Sequence, residues 1–454
     1  MHYFRCFKPD QKVEQELKKV LIITYYWPPA GGPGVQRWLK FVKYLREYGW
    51  EPVVLTVENG VYPAIDNSLH NDIPDGVAVI RTRAGNPFRL YNLLKGNKAG
   101  QVPVALINHR KKQSLFDKLA IWIRSNCFIP DARKGWYRHA IKEIPRLMHH
   151  DQPKVVITTG PPHSTHRIGQ WVANKYNIPW LADFRDPWTT VYYNHLMPRT
   201  KRTQRIDLAC EEEVLRHANC ILTVSEAMRQ EYEGRSRRTM VIRNGFDEHD
   251  MQEATDSNDP EPRFVVLHTG NIAPNQHVPV LWDVLKEFCQ RDPEFSRHLL
   301  IRLVGNVDST TRNYLEAIGL SSNVEYTGYV SHHEATALMQ GASLLLLLIP
   351  DAPGNRAIVT GKLFEYLLAR APILGMGPAD GDADAILQQT GRGEMIGYNE
   401  QQSVKNRVEA EYHRWLAQGR ITQKLPLEPC LQYSRRRATG QLASLLDELV
   451  KATA

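Results

Sequence analysis

What most constrains this chain is a unit that keeps returning: a short apolar strand, a turn of glycine, proline and polar residues, then an amphipathic helix. In its first occurrence Lys19-Val-Leu-Ile-Ile-Thr-Tyr-Tyr-Trp27 is rich in β-branched and aromatic side chains, the composition of a strand. Pro28-Pro-Ala-Gly-Gly-Pro-Gly34 reads as a loop. Val35, Leu39, Val42 and Leu45 then share one face of a helix over 35–48, which Gly49 ends before a strand over 52–57. Strands that are apolar throughout, rather than at alternate residues, are covered on both faces. Strand, covering helix and second strand make a βαβ unit and predict a parallel sheet.

The unit returns at Lys154-Val-Val-Ile-Thr-Thr, with a helix over 164–175, and at Pro179-Trp-Leu-Ala-Asp-Phe, Cys220-Ile-Leu-Thr-Val and Met240-Val-Ile-Arg. Ser225 has the chemistry of an N-cap for a helix over 226–232. Residues 247–262 are polar and acidic and end in Pro-Glu-Pro, as an inter-domain linker does. A second series follows, with strands over 264–270, 299–305, 324–328, 343–349 and 371–375. Its helices fall over 278–288, 311–318 and 361–369, and a last amphipathic helix covers 434–451. A chain of 454 residues exceeds what one core organises. The expectation is an α/β protein of two doubly wound, Rossmann-like domains, 19–246 and 263–430, and a C-terminal helix, 434–451, that returns to the first. Such sheets bind ligands beyond the carboxyl ends of their strands, so the active site is expected in a cleft where two sets of loops face each other.

Composition excludes several function classes. The longest strongly apolar run, 344–349, is far short of the roughly 20 residues of a membrane span. The polar start, MHYFRCFKPDQKVEQELKK, lacks the apolar core of a signal peptide, and a cytoplasmic protein is expected. Six cysteines without a CxxC pair and 17 histidines without HExxH spacing predict neither a disulfide framework nor a metal site. The formal charge of +8 suits phosphorylated substrates, nucleic acid or an anionic membrane surface, and does not choose between them. Nucleic acid is not expected, because the basic residues are dispersed and no recognised module is present. The stretch 86–135 mixes Arg89, Lys95, Lys98, Arg110, Lys111 and Lys112 with Phe88, Leu90, Tyr91, Phe116, Leu119, Trp122 and Ile123. It reads either as a patch touching anionic lipid or as an irregular helical insertion with solvated cations.

Five motifs could carry chemistry. Gly31, Gly32 and Gly34 allow close backbone approach before a helix N-terminus, which suits phosphate; the alternative is a tight turn. It is neither a dinucleotide fingerprint nor a P-loop, since the third glycine and GK[ST] are missing. Thr159-Gly-Pro-Pro-His-Ser-Thr-His166 places His163 and His166 where they could exchange a proton with a hydroxyl, or Ser164 simply caps a helix. In Ala182-Asp-Phe-Arg-Asp-Pro-Trp188, Asp183, Arg185 and Asp186 form a site-like cluster at a strand end, or an internal salt bridge. Around Arg356, Thr360 has the N-cap position and Gly361 and Lys362 the first turn of a helix, where amides, dipole and ammonium converge as a diphosphate requires; the alternative is an ordinary amphipathic helix with Leu363, Phe364 and Leu367 in the core. Glu365 lies one turn on, in reach of ribose hydroxyls. Last, in His268-Thr-Gly270-Asn271, after the second half's first strand, Gly270 either permits close backbone approach or makes a plain turn, and Tyr329 could stack on a base.

In order along the chain, ITYYWPPAGGPGVQRWLKFVKYL, TGPPHSTHRIG, ADFRDPW, RNGFD, HTGNIAPN, VTGKLFEYLLARAPILG and GPADGDADAIL resemble bacterial retaining glycosyltransferases of family 4, with their two-domain GT-B fold. The resemblance runs from about residue 19 to 397. It implies an acceptor-binding first domain and a second domain that binds a nucleotide-diphosphate sugar. Gly270, Asn271, Thr360, Gly361 and Lys362 would hold the diphosphate, Glu365 would contact ribose, and Gly31, Gly32 and Gly34 would face the donor across the cleft. Two departures stand out. Ala357 replaces the first glutamate of the family's E-x7-E motif, so the sugar is not carried over. After Gly270 the stretch Asn271-Ile-Ala-Pro-Asn-Gln-His277 has neither of the arginine and lysine found in many members, which leaves Lys362, with Arg356, to supply positive charge.

The expected reaction is a metal-independent transfer, of hexosyl type, from a UDP- or GDP-sugar to a hydroxyl, in cell-surface polysaccharide or glycolipid synthesis. It needs no cofactor. Lys362 would stabilise the leaving diphosphate, and Asp186 and His163 would handle a sugar or lipid-linked sugar acceptor, with Asp183 and Arg185 beside them. Retention is implied by the family alone. The alternatives are a nucleotide-sugar epimerase of the same architecture and a non-catalytic nucleotide-sugar-binding protein. The enzyme is expected in the cytoplasm, with peripheral contact to the membrane's inner face where lipid is bound.

Overall fold

The computed structural model describes residues 17–62, 64–85, 115–191, 194, 197–251, 263–419 and 424–453. The basic part of the 86–135 stretch up to residue 114 and most of the 247–262 linker lie outside the described residues. The first sheet contains β1 (Lys18–Ile23), β2 (Trp50–Val57), β3 (Ala78–Thr82), β4 (Val155–Gly160), β5 (Trp180–Phe184), β6 (Cys220–Thr223) and β7 (Thr239–Val241). Their order is β3-β2-β1-β4-β5-β6-β7, and every pairing is parallel. The helices among them are α1 (Pro33–Leu45), α2 (Leu115–Cys127), α3 (Tyr137–His150), α4 (His166–Tyr176), α5 (Lys201–His217) and α6 (Glu226–Tyr232).

The second sheet contains β8 (Phe264–Thr269), β9 (Leu299–Val304), β10 (Val324–Gly328), β11 (Leu344–Leu348), β12 (Ile373–Met376) and β13 (Gly393–Ile396), ordered β10-β9-β8-β11-β12-β13 and again parallel. Its helices are α7 (Pro279–Arg291), α8 (Pro293–His298), α9 (Ser309–Ala317), α10 (His332–Gly341), α11 (Gly361–Ala369), α12 (Asp382–Thr390) and α13 (Gln401–Ala417), before α14 (Arg435–Lys451). Both sheets therefore have the Rossmann-like winding expected of the two-domain α/β class. The winding reverses between β1 and β4 in one and between β8 and β11 in the other, and those two crevices are where such sheets take ligands.

Alternation along each strand builds a core on both faces. Val20 and Ile22 pack with Trp38, Leu39 and Val42 of α1, whereas Leu21 and Ile23 turn to Trp136, Trp180 and Phe184. Helix α14 belongs to the first of these cores. Ser434 caps it, accepting from the Arg437 amide at 3.2 Å, and Leu442, Leu445, Leu446 and Leu449 pack against the α1 side of the first sheet. Helix α14 thus belongs to the lobe that contains β1. The crossing is pinned by Asn244 Oδ1, which accepts from Arg37 at 3.2 Å and Arg435 at 3.3 Å.

Strands β3 and β13 and helices α3, α5, α8, α10, α12 and α13 have no counterpart in the sequence reading. Helix α5 shows why: its inner face buries Thr203, Asp207 and Glu211 besides Val214 and Leu215, so no apolar stripe marks it. Capping by Ser164 is also corrected. Its amide and hydroxyl both donate to Asp131, at 2.7 and 2.8 Å, and α4 starts from Thr165 with no side-chain cap. Leu446 is fully buried between the crossing helix and the first sheet. Leu446→Ala should cost about 2–5 kcal/mol, read as a lower thermal midpoint and earlier proteolytic release of α14. An unchanged midpoint would mean the helix docks without contributing to the core.

Candidate active site

The second lobe's crevice opens where β8 ends. Gly270 has φ +93°, and its amide donates to the Val304 carbonyl at 2.6 Å. A Cβ at this position would stand 2.3 Å from Lys362 Cε and 2.6 Å from Nζ, so only glycine leaves room for that side chain to lie across the strand end. Two more glycines extend the opening. Gly305 (φ +115°) follows β9, a Cβ on it would stand 2.7 Å from the Gly270 carbonyl, and its amide donates to the Gly328 carbonyl at 2.7 Å. Their only sequence signal was that each ends an expected strand, over 299–305 and 324–328.

Lys362 reaches this floor from the first turn of α11. Its Nζ lies 3.3 Å from His268 Nε2 and 3.4 Å from the Asn271 carbonyl. His268 Nδ1 lies 2.9 Å from the Leu346 carbonyl, which can only accept, so Nδ1 carries the proton and Nε2 offers its lone pair to the ammonium. Burial, and then Lys362, push His268 down to about 3; burial lowers Lys362 to about 8 against the opposing pull of Glu365. The lysine is therefore a cation below pH 8 beside a neutral imidazole. Thr360 sits at the N-cap but makes no side-chain capping bond, which leaves the first-turn amides of α11 facing the same point. Around a Cβ on Gly361 the space is open. Glu365 is half-buried one turn along. Asn271 Oδ1 accepts from the Asn306 amide at 3.2 Å. Arg356 is exposed and paired with Asp380 at 2.8 Å, and Tyr329 stands 94% exposed beyond Gly328.

In the first lobe, Gly31 donates to the Ala64 carbonyl at 3.0 Å and Gly32 has φ +107°. Gly34 is required for another reason: a Cβ there would coincide with the Arg185 guanidinium, 1.4 Å from Nη1. Arg185 lies on that glycine, donates to the Pro161 carbonyl at 3.2 Å, and stands 3.7 Å from the half-exposed Asp186. His163 stacks on Trp188 at 4.6 Å, with the ring planes within 7°. Burial, helped by His166 and Arg185, holds it well below the usual histidine range. His166 stacks on Phe184, bonds Thr158 at 2.9 Å, and is pushed down to about 3 by burial. Both imidazoles are neutral.

Asp183 is a correction. It is fully buried and holds four side-chain contacts: Arg37 Nη2 at 3.0 Å and Nε at 3.3 Å, Trp38 Nε1 at 2.8 Å and Thr159 Oγ1 at 2.9 Å. It braces α1 against β5 and has no surface to offer an acceptor. Nor is it paired with Arg185, whose partner is Asp186. Arg37 was not singled out in the sequence, because its inward direction depends on the α1 register against β5.

The two crevices open toward each other. Asp382, after β12, accepts from the Glu226 and Ala227 amides at 3.1 and 3.2 Å and from Arg243 at 3.2 Å. These residues follow β6 and β7, so carboxyl-end loops of both sheets meet. Among the described residues no cluster of three or more His, Cys, Asp or Glu is placed to hold a metal.

The family model described as Glycosyl transferase 4-like domain matches residues 31–245. None of the curated proteins matches the chain. Among solved structures it is similar to a sucrose-phosphate synthase from Thermosynechococcus elongatus, with TM-score 0.61 and 14% identity over 96% of this chain and 100% of that one. It is also similar to Anabaena HepE in complex with UDP-glucose, with TM-score 0.58 and 15% identity over 95% and 100%. A third is a putative UDP-N-acetylglucosamine 2-epimerase from Listeria monocytogenes, with TM-score 0.53 and 10% identity over 96% and 98%. At such identities the likeness establishes the fold, which is GT-B.

Removing one partner of a buried ion pair typically costs about 3–5 kcal/mol. Asp183→Asn should therefore lower the thermal midpoint strongly, while Asp186→Asn, at a half-exposed carboxylate, leaves it near wild type. Equal midpoints in the two variants would contradict the bracing role.

Proposed function

Taking residues 31–245 as a glycosyl transferase 4-like domain, we propose that this protein moves a hexosyl group from a nucleotide-diphosphate sugar to a hydroxyl acceptor. The observation that carries the reading is Lys362, held across Gly270 at the N-terminus of α11, in the crevice between β8 and β11. Ammonium, uncapped amides and helix dipole converge there on one point, the chemistry a diphosphate leaving group requires. The donor is a UDP- or GDP-sugar, and the solved structure of HepE with UDP-glucose is in keeping with that class. Glu365 takes ribose hydroxyls. Gly31, Gly32 and Gly34 face the donor from the other lobe.

Breaking the anomeric C–O bond gives an oxocarbenium-like sugar and a diphosphate, whose growing charge Lys362 and the α11 amides stabilise without a metal. The acceptor hydroxyl attacks on the departing face and passes its proton to the donor phosphate, so configuration is retained. Asp186 holds the acceptor hydroxyl. His163, neutral and stacked on Trp188, lies beside that loop without serving as a general acid. Lobe closure excludes water, so transfer outruns hydrolysis. The product belongs to cell-surface polysaccharide or glycolipid synthesis on the cytoplasmic side of a membrane.

Two measurements test this. Saturating UDP- or GDP-sugar at a hundred times Kd stabilises the fold by about 2.7 kcal/mol; the resulting rise in midpoint should fall in Lys362→Ala and Glu365→Ala. If both variants respond like wild type, the donor site lies elsewhere. Turnover of a sugar nucleotide with no acceptor present would favour the epimerase instead. Because Lys362 loses its proton as pH rises through about 8, affinity for the nucleoside diphosphate should weaken across that range. Lys362→Ala should bind weakly with no such step, and a flat wild-type profile would count against the ammonium.

A further inference from the structure

Helix α2 is built inside out. Arg124 and Ser125 turn inward, Ser125 only 6% exposed and Arg124 buried enough to lower its pKa, whereas Leu119, Trp122 and Ile123 stand 40–55% exposed on the outer face. A water-facing helix does the reverse. Ile206, the exposed isoleucine of α5, lines one groove with Trp122, Asn126, Cys127, Ile129 and Arg202, of about 350 Å3. The apolar face thus spans two helices.

Its surroundings are basic. Lys118, Lys201, Arg202 and Arg205 are exposed beside it. The first two turns of α5 contain a single acid, Asp207, which is buried and taken by Arg199 and Trp188. The stretch 86–114, which leads into α2, carries six lysines and arginines and no aspartate or glutamate. An exposed apolar face rimmed by cations is complementary to an anionic lipid surface, where the apolar side chains enter the acyl boundary and the cations meet headgroup phosphates. A second protein copy would bring the same cations against themselves.

We propose that Leu119, Trp122, Ile123 and Ile206, rimmed by Lys118, Arg202 and Arg205, seat this protein on an anionic phospholipid bilayer. The seat is tied to the first lobe's crevice. The Asn126 side chain bonds Pro198, Thr200 and Thr203, each at 2.8 Å, and Trp188 of the Asp186 loop donates to Asp207 of α5 at 2.8 Å. Resting on the transferase reading, this makes the acceptor a membrane-anchored amphiphile whose hydroxyl reaches Asp186 from the bilayer side. The seat itself does not depend on that reading.

The test is co-sedimentation of the full chain with phosphatidylglycerol-containing and pure phosphatidylcholine vesicles, at low and high salt. Wild type should pellet with the anionic vesicles and release with salt. The double variant Trp122→Glu, Ile123→Glu should lose binding about tenfold or more, and Arg202→Ala with Arg205→Ala should weaken it by a similar factor and flatten the salt dependence. All these positions are exposed, so thermal midpoints should match wild type and exclude misfolding as the cause. Absence of wild-type binding at low salt, or binding that neither variant disturbs, overturns the proposal. So does a concentration-dependent dimer that Trp122→Glu dissociates. Nucleotide-sugar stabilisation is read separately, so a failed seat and a failed donor site are distinguishable.

Discussion

The missing side chain at Gly270 is the constraint on which the second lobe's chemistry depends. Lys362 can cross the end of β8 only because nothing occupies the Cβ position there, and Gly305 stacks on Gly270 through its own positive φ. Beneath them His268, fixed in one tautomer by the Leu346 carbonyl, presents a lone pair to the ammonium. Among the described residues the ammonium's hydrogen bonds go to a neutral ring and a carbonyl, with the Glu365 carboxylate one turn along the helix. Burial of the ammonium makes its charge costly until an anion arrives, and that is the state in which a diphosphate gains most from it.

The first lobe is arranged in the opposite way. Its strongest charges are paired and sealed: Asp183 with Arg37, and Asp247 with Lys40 and Lys43. These pairs bind α1 to β5 and to the chain that leaves β7. Through Asn244 the same network reaches Arg435 at the start of α14. What remains for ligands is the rim: the 31–34 loop, Arg185 on Gly34, and Asp186. Asp382 then joins the lobes by capping α6 from across the cleft. A carboxylate at a helix N-terminus favours that contact electrostatically.

Much of the fold was legible because buried parallel strands leave an unbroken apolar signature. Strands β1, β4, β8 and β11 were readable for that reason, as was α11, whose Gly361 start follows from Thr-Gly-Lys. Helix α5 was not, since its inward residues are polar and satisfied by partners distant in sequence, such as Trp188 for Asp207. Strand β3 escaped notice as well: as the sheet edge, its residues are half-buried at best.

The sequence by itself determined the two successive α/β windings, the glycine loops at the strand ends, and the placement of Lys362 and Glu365 on one helix. All of these are local, set by spacing along a strand or a turn. Only the tertiary structure decided that Asp183 is a sealed brace while Asp186, three residues on, stays at the rim. It alone decided that His268 lies under Lys362, and that α2 turns its apolar face outward. Those outcomes depend on which elements pack together, and a side chain's solvent, partners and charge are fixed only once its neighbours arrive from elsewhere in the chain.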